Sequence, residues 1–281
     1  MKYLLNHSLF DEEVAVFHIN NRAFQLGDFV SEFIKISGYK PLLMEEHYFN
    51  LMASMRILRL KIPNEFTQEF FEEKIQMVLE ANQLKNARIK ISIFRNNDFT
   101  NSLSHSEVSY LIKIDKIFKS SAYTWENQTD SEIDIYRDYT VNNSFFSQIN
   151  SHKSEEIIAE IYRQENEYRD LILLNSEKRI ARSLLGTPFF LQGDSLKTPK
   201  TTEGGIRSVS RNKLCQLLKR NPNFTFEETE LFPFEIQKSD EVFVLIESEG
   251  IISFGKNRKK NYEITKTSWI TELLNEELID F

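Results

Sequence analysis

The 281-residue sequence predicts an α/β (α+β) protein of two domains with a cleft between them. Three observations carry that expectation. Stretches of three- and four-residue apolar spacing alternate with short runs of period two, the pattern of helices interleaved with strands. An aperiodic polar stretch at residues 115–131 divides the chain. The length is also enough for two hydrophobic cores. The boundary is placed after residue 117, giving an N-terminal α/β domain over 1–117 and a C-terminal α/β domain over 118–281.

Leu43, Met44, His47, Tyr48, Leu51, Met52, Met55 and Leu58 share one face of a helix that ends near Pro63. Phe66, Phe70, Phe71, Ile75, Val78 and Leu79 repeat the pattern after that proline. Ile89, Ile91 and Ile93 alternate with Arg88, Lys90 and Ser92, which predicts a half-buried strand. A second strand is expected at 108–114, after a polar loop over 96–106. Beyond the aperiodic stretch, 132–136 reads as a strand, and 154–168 as a helix burying Ile157, Ile158, Ile161 and Tyr162. Short strands follow at 171–174, 189–192 and 242–246, with a helix at 209–218 between the last two. No internal repeat or low-complexity tract interrupts this order.

A formal charge of −7 and a sequence pI near 5.5 argue against a nucleic-acid partner, which requires a basic face to displace counterions. The longest basic run, Lys256, Arg258, Lys259 and Lys260, reads as a solvated loop. Cys215 is the only cysteine, so an internal disulfide is excluded, and its leucine neighbours predict a buried structural thiol. No apolar run approaches the length of about 18 residues that spans a bilayer. The opening MKYLLNHSLFDEE has too short an apolar core for a secretory signal and turns acidic, so a cytoplasmic location without membrane association is expected. The five histidines, His7, His18, His47, His105 and His152, show no H-x-x-x-H or H-E-x-x-H spacing, and no metal is expected. His47, next to Glu45 and Glu46, reads as structural. There is no nucleotide-binding glycine motif and no serine-nucleophile elbow; Gly204 and Gly205 signal only a turn.

Residues 20–63 and 171–218 resemble the class IV aminotransferase family, which includes branched-chain and D-amino-acid aminotransferases and aminodeoxychorismate lyase, all using pyridoxal phosphate. The resemblance implies a fold with the cofactor in the interdomain cleft and a homodimer whose subunits complete each other's sites. It also locates the cofactor positions in this chain. The phosphate-binding arginine of the pattern E-H-x-x-R-L falls at Asn50, within Glu46, His47, Tyr48, Phe49, Asn50 and Leu51. The glutamate that meets the pyridinium falls at Arg182, a charge reversal worth a few kcal/mol of repulsion at an effective dielectric near ~20. The asparagine that follows it falls at Thr187. Counting without gaps places the Schiff-base lysine at Ile149, and no lysine occurs over 147–152; Lys153 is the nearest amine, one turn along if a helix runs through both. The phosphate-cradling turn G-I-T-R reads Ser208, Val209, Ser210, Arg211, and the late T-N pair reads Leu245, Ile246. Framework residues Gly27, Asp28, Thr198, Pro199 and Arg211 remain in place.

The resemblance thus implies a degenerate member that holds no pyridoxal phosphate and acts as a non-catalytic binding, regulatory or scaffold protein. Its expected assembly is a homodimer, or a hetero-assembly with an active paralogue. Arg182, Arg207, Ser210, Arg211 and Lys153 border the cofactor in the family and form the candidate site for a small anionic ligand; pairing of Arg182 with a local glutamate is the competing reading. An enzyme reading stays open in two forms, an aminotransferase or lyase carrying the cofactor on Lys153, or a cofactor-independent enzyme using the old cleft.

Overall fold

The alternation of Ile89, Ile91 and Ile93 builds an interior strand in this computed structural model, which describes residues 1–14, 17–96 and 107–279. The chain divides into unit 1, Met1–Ser121 with Ile149–His152, and unit 2, Ala122–Gln148 with Lys153–Phe281. The return of Ile149–His152 to unit 1 has no counterpart in the expected single division after residue 117. Most of the expected polar loop at 96–106 lies outside the described residues.

Unit 1 runs β1 (Lys2–Leu5), β2 (Ser8–Asp11), α1 (Arg22–Leu26), β3 (Phe29–Ser37), β4 (Lys40–Pro41), α2 (Met44–Ile57), α3 (Gln68–Asn82), β5 (Ala87–Arg95) and β6 (Val108–Ile117). Its described strands form a six-stranded antiparallel sheet in the order β2-β1-β6-β5-β3-β4. The register stacks branched side chains across three strands: Ile34, Ile89 and Ile114; Glu32, Ile91 and Ile112; Val30, Ile93 and Tyr110. Because side chains alternate along a strand, this register puts all of them on one face, against which α2 packs Leu51, Met52 and Met55 and α3 packs Phe71, Ile75, Val78 and Leu79. Burying each such side chain contributes roughly 1.5–3 kcal/mol. Thr67 caps α3 by accepting from the Phe70 amide, and Glu45 and Glu46 lie at the positive end of α2. Gly27 ends α1 at a φ of +64°, and a Cβ there would sit 2.4 Å from the Cβ of His152, so glycine is required on both counts.

Unit 2 contains β7 (Thr124–Ile135), a 3-10 turn (Phe145–Gln148), α4 (Ser154–Glu165), β8 (Asp170–Leu174), β9 (Ile180–Ser183), β10 (Thr187–Gln192) and β11 (Ser195–Pro199). After a second 3-10 turn (Thr201–Glu203) come α5 (Val209–Arg220), β12 (Thr225–Thr229), α6 (Phe234–Lys238), β13 (Glu241–Ile246), β14 (Gly250–Asn257), β15 (Lys260–Asn261) and α7 (Thr267–Ile279). The described strands make a mixed nine-stranded sheet, β12-β11-β10-β13-β14-β7-β8-β9, with β15 paired to β14. One core joins Ile133, Ile172, Phe190, Val242, Val244, Ile252 and Phe254. A second joins Tyr136, Val141, Ala159, Leu171 and Leu173.

Three expectations are corrected here. The polar stretch at 115–131 is largely strand, the end of β6 and the first half of β7. Backbone pairing of β7 with β14, Thr124 opposite Gly250 through Gln128 opposite Phe254, holds it extended although most of its side chains are polar. The helix expected at 154–168 ends at Glu165 and turns the other way: Ala159 and Tyr162 face the sheet, while Ile157, Ile158 and Ile161 are 54%, 56% and 47% exposed. Small Ala159 lets the helix approach closely, and Tyr162 then packs edge-on to Tyr136. The basic run is the β14–β15 hairpin, in which Lys256 reaches Glu132 and Arg258, at a φ of 54°, reaches Asp134. Cys215 is buried, which pushes its thiol up to about 12. Among the described residues no helix is long and apolar enough to cross a membrane.

Glu241, at the start of β13, fixes the beginning of α7. One oxygen accepts from the Thr265 amide (2.9 Å), the Thr265 hydroxyl (2.6 Å) and the Lys266 amide (2.8 Å); the other accepts from the Thr267 amide (3.2 Å) and hydroxyl (2.7 Å). Burial alone pushes this carboxyl up, but the donors outweigh it and hold it below the ordinary glutamate value of 4.5. A depressed native value means that the stabilisation is full above about pH 4.5 and is lost as the pH falls through that lower value. Glu241→Gln turns an acceptor into a donor facing donors; a loss of about 2 kcal/mol at pH 7 is expected, shrinking in acid, as read by urea midpoints across pH.

Candidate functional site

Glu32 lies in the period-two register of Val30, Ile34 and Ile36, so β3 directs a carboxylate at α2 among isoleucines. An unpaired charge there would be costly, and two residues one helical turn apart meet it. His47 Nδ1 is 2.7 Å from Oε1, and Asn50 Nδ2 donates to Oε2 at 2.9 Å. The Asn50 amide, expected from the resemblance at the arginine's place, is thus held by a carboxylate within unit 1. Ile149, where the resemblance leads one to expect the lysine, is 1% exposed and belongs to the apolar core of the same unit.

The other candidate residues belong to unit 2. Lys153 is neither exposed nor inside a helix: it caps α4 with extended backbone, so the one-turn relation to Ile149 does not hold. Its Nζ is 3.5 Å from Glu156 Oε1 and its side chain is 9% exposed. Arg182, buried on β9, reaches the same oxygen at 2.7 Å, an ion-pair distance at an angle outside a hydrogen bond. Burial lowers the Lys153 amine to about 8; Glu156 opposes the shift and Arg182 adds to it. Tyr139 joins the group, its phenol raised first by burial, with Arg182 countering and Glu156 reinforcing. The hydroxyl of Tyr139 is buried with no hydrogen-bond partner among the described residues.

Thr187 opens β10 directly opposite Leu245 of β13, so two of the residues singled out by the resemblance are cross-strand neighbours. Thr198 donates to the Pro188 carbonyl at 2.9 Å and is fully buried. At α5, Ser208 is the N-cap and accepts from the Arg211 amide at 3.0 Å. Arg211 turns to the Pro199 carbonyl and to Glu228, both at 2.8 Å. Ser210 donates to Glu247 through its amide (3.2 Å) and its hydroxyl (2.5 Å). The Arg207 amide donates to the Gln148 carbonyl, and its buried Nε has no hydrogen-bond partner among the described residues.

The structure therefore brings Lys153 and Arg182 together on Glu156, gives Arg211 to Glu228 and Ser210 to Glu247, and leaves Arg207 without an ion pair among the described residues. The sequence names these polar residues and allows a glutamate partner for Arg182, which the structure supplies as Glu156; the identity of the carboxylates and the place of Tyr139 are not read from it. Glu156 had a local signal, three residues from Lys153 on an acidic first turn. Glu247 had none, standing 37 residues from Ser210.

Solved structures share this architecture. A branched-chain aminotransferase from Thermoproteus uzoniensis superposes with a TM-score of 0.85 at 18% identity, covering 99% of this chain and 96% of that one. The branched-chain amino acid aminotransferase of Escherichia coli gives 0.83 at 16% identity, covering 96% and 92%. A putative 4-amino-4-deoxychorismate lyase from Legionella pneumophila gives 0.78 at 22% identity, covering 95% and 97%. The fold is thus that of fold type IV aminotransferases. Residues 30–253 match the amino-transferase class IV pattern, and the chain belongs to that family. A D-alanine aminotransferase of Listeria monocytogenes is 28% identical over 95 residues, 34% of this chain, so the match spans about a third (32%) of that relative's length.

The Arg182–Glu156 pair can be tested by stability alone. Arg182→Met is expected to cost about 2–3 kcal/mol, at or below the lower end for a buried pair because Glu156 is 27% exposed. Adding Glu156→Leu should recover part of that loss, since neither charge is then stranded; a urea double-mutant cycle at pH 7 measures the coupling.

Proposed function

We propose that this chain is a class IV aminotransferase-family protein that has given up pyridoxal phosphate and acts as a non-catalytic binding or regulatory partner. The observation that carries the reading is Ile149, an apolar core side chain where the resemblance places the Schiff-base lysine. Without an amine there is no nucleophile for the cofactor's aldehyde. Three further features support it. The resemblance puts a cation, Arg182, at the place of the carboxylate that would meet the pyridinium. Asn50 supplies no charge for a phosphate, and its amide is committed to Glu32. The Ser210 donors are committed to Glu247. Pyridoxal phosphate, the family's electron sink, does not fit this donor set.

The binding half of the proposal draws support from the isoleucine stripe of α4, whose exposed Ile157, Ile158 and Ile161 form an apolar strip of the kind that partner chains cover. The family resemblance favours a second copy of this chain, with an active paralogue as the other candidate. Sedimentation at micromolar concentration should give about twice the 33.2 kDa chain mass; a monomer would remove the homodimer and favour a different chain.

One observation favours a second reading, an enzyme carrying the cofactor on Lys153. Its amine lies near 8, so a usable fraction is neutral at physiological pH. Borohydride reduction after incubation with pyridoxal phosphate separates the readings. The expected outcome is a colourless protein with no absorbance band at roughly 410–430 nm and no reduced adduct by mass spectrometry. A specific adduct on Lys153 would replace the non-catalytic reading with the enzymatic one.

A further inference from the structure

The start of α5 is closed by a ring of short polar contacts. The hairpin turn between β13 and β14 carries Ser248 in the left-handed region, at a φ of 56°, and holds Glu247 against the first turn of the helix. Both Glu247 oxygens lie within reach of the Ser210 amide, at 3.2 and 3.4 Å, and Oε1 also accepts from the Ser210 hydroxyl at 2.5 Å and from the Ser248 hydroxyl at 3.1 Å. The Ser248 amide donates to the Ser210 hydroxyl at 3.1 Å, and the phenol of Tyr123 lies 3.2 Å from the same oxygen. Ser210 and Ser248 are fully buried and Tyr123 nearly so, which shields their side of the ring from water, while Glu247 is half-buried.

We infer that Glu247, whose carboxylate takes the amide and hydroxyl of Ser210 at the first turn of α5, is a built-in anion that excludes phosphate from the helix start where the family resemblance places a phosphate cradle. The inference rests on the reading that pyridoxal phosphate does not fit this chain, and adds the group that keeps it out. A helix start with free amides and a hydroxyl attracts an anion through its partial positive charge and hydrogen-bond donors. Here both donors of Ser210 are taken by an anion tethered to the same sheet. An arriving phosphate would have to displace a covalently held carboxylate or lie beside it as a like charge. Removing the carboxylate while keeping the helix and Ser210 uncovers the donors.

The test uses the full chain with inorganic phosphate as the probe, followed by calorimetry and phosphorus NMR. The wild-type protein is expected to show no saturable binding in the millimolar range. Glu247→Ala should gain phosphate affinity by at least about tenfold, the scale set by helix-end electrostatics with charge-assisted hydrogen bonds. Ser210→Ala in that background should abolish the gain. Glu247→Gln keeps the shape and one acceptor while removing the charge; it should gain affinity less strongly, and it decides the matter if the alanine variant does not fold. Saturable wild-type binding that Ser210→Ala abolishes would overturn the inference. So would a folded Glu247→Ala or Glu247→Gln protein with no gain. Neither result bears on the Lys153 adduct, which tests the underlying loss of the cofactor by a separate readout.

Discussion

A buried cation or amide donor needs a partner inside the protein, and here that need is met by carboxylates of the same chain. Removing one charge of such a pair leaves the other desolvated and alone, at a cost of several kcal/mol, so each pair constrains the elements that carry it. Glu32 binds β3 to α2 through His47 and Asn50. Glu156 meets both Lys153 and Arg182, Glu228 takes Arg211, and Glu247 takes the first turn of α5. Elsewhere in unit 2 the logic repeats: Glu203 gathers Asn175 and Arg179, and Glu241 gathers the first residues of α7. The excess of 42 acidic over 35 basic residues is spent partly in the interior.

An anionic cofactor would bring negative charge of its own to the positions the family resemblance marks. In this chain Asn50, Arg182, Ser210 and Arg211 are matched by carboxylates of the chain itself, with Arg207 the exception, and that matching is the physical content of the proposed loss. Satisfaction and catalysis pull in opposite directions, because a donor engaged by a fixed carboxylate cannot respond to a ligand. The Lys153 amine is the partial exception. Desolvation keeps it near 8, yet the carboxylate that steadies it is shared with Arg182, so its environment is that of a cluster of charged groups with Tyr139 beside them.

The framework tolerates such changes because it is held by other means. Stacked isoleucines across β3, β5 and β6 and two apolar helices stabilise unit 1 whatever occupies residue 50, and Ile149 itself adds to that core. Truncating a buried isoleucine to alanine typically costs about 2–5 kcal/mol, so a place that the resemblance gives to chemistry now contributes to packing. In unit 2 the mixed sheet and its two cores do the same for the segments around Arg182 and Ser210.

The legible part of this protein is the part written in local periodicity. The helices α2, α3 and α5 and the strand β5 follow from apolar spacing, because burial of one face is enough to select each of them, and β8, β10 and β13 follow from short apolar runs that are buried almost throughout. The first half of β7 was illegible since it is held by backbone pairing to β14, which leaves no mark on side-chain order. The burial face of α4 was misread because isoleucine count outweighed Ala159, whose value is its small size. At the candidate site, residue identity alone settles that there is no lysine over 147–152, while the family resemblance is what sets Arg182 and Asn50 at places where residues of another kind are expected. Which groups pair with them was decided only in three dimensions. Glu32 lies 18 residues from Asn50, and Glu247 lies 37 from Ser210. Hydrogen bonds and ion pairs depend on distance in space, and the fold, rather than the order of residues, brings those carboxylates to their donors.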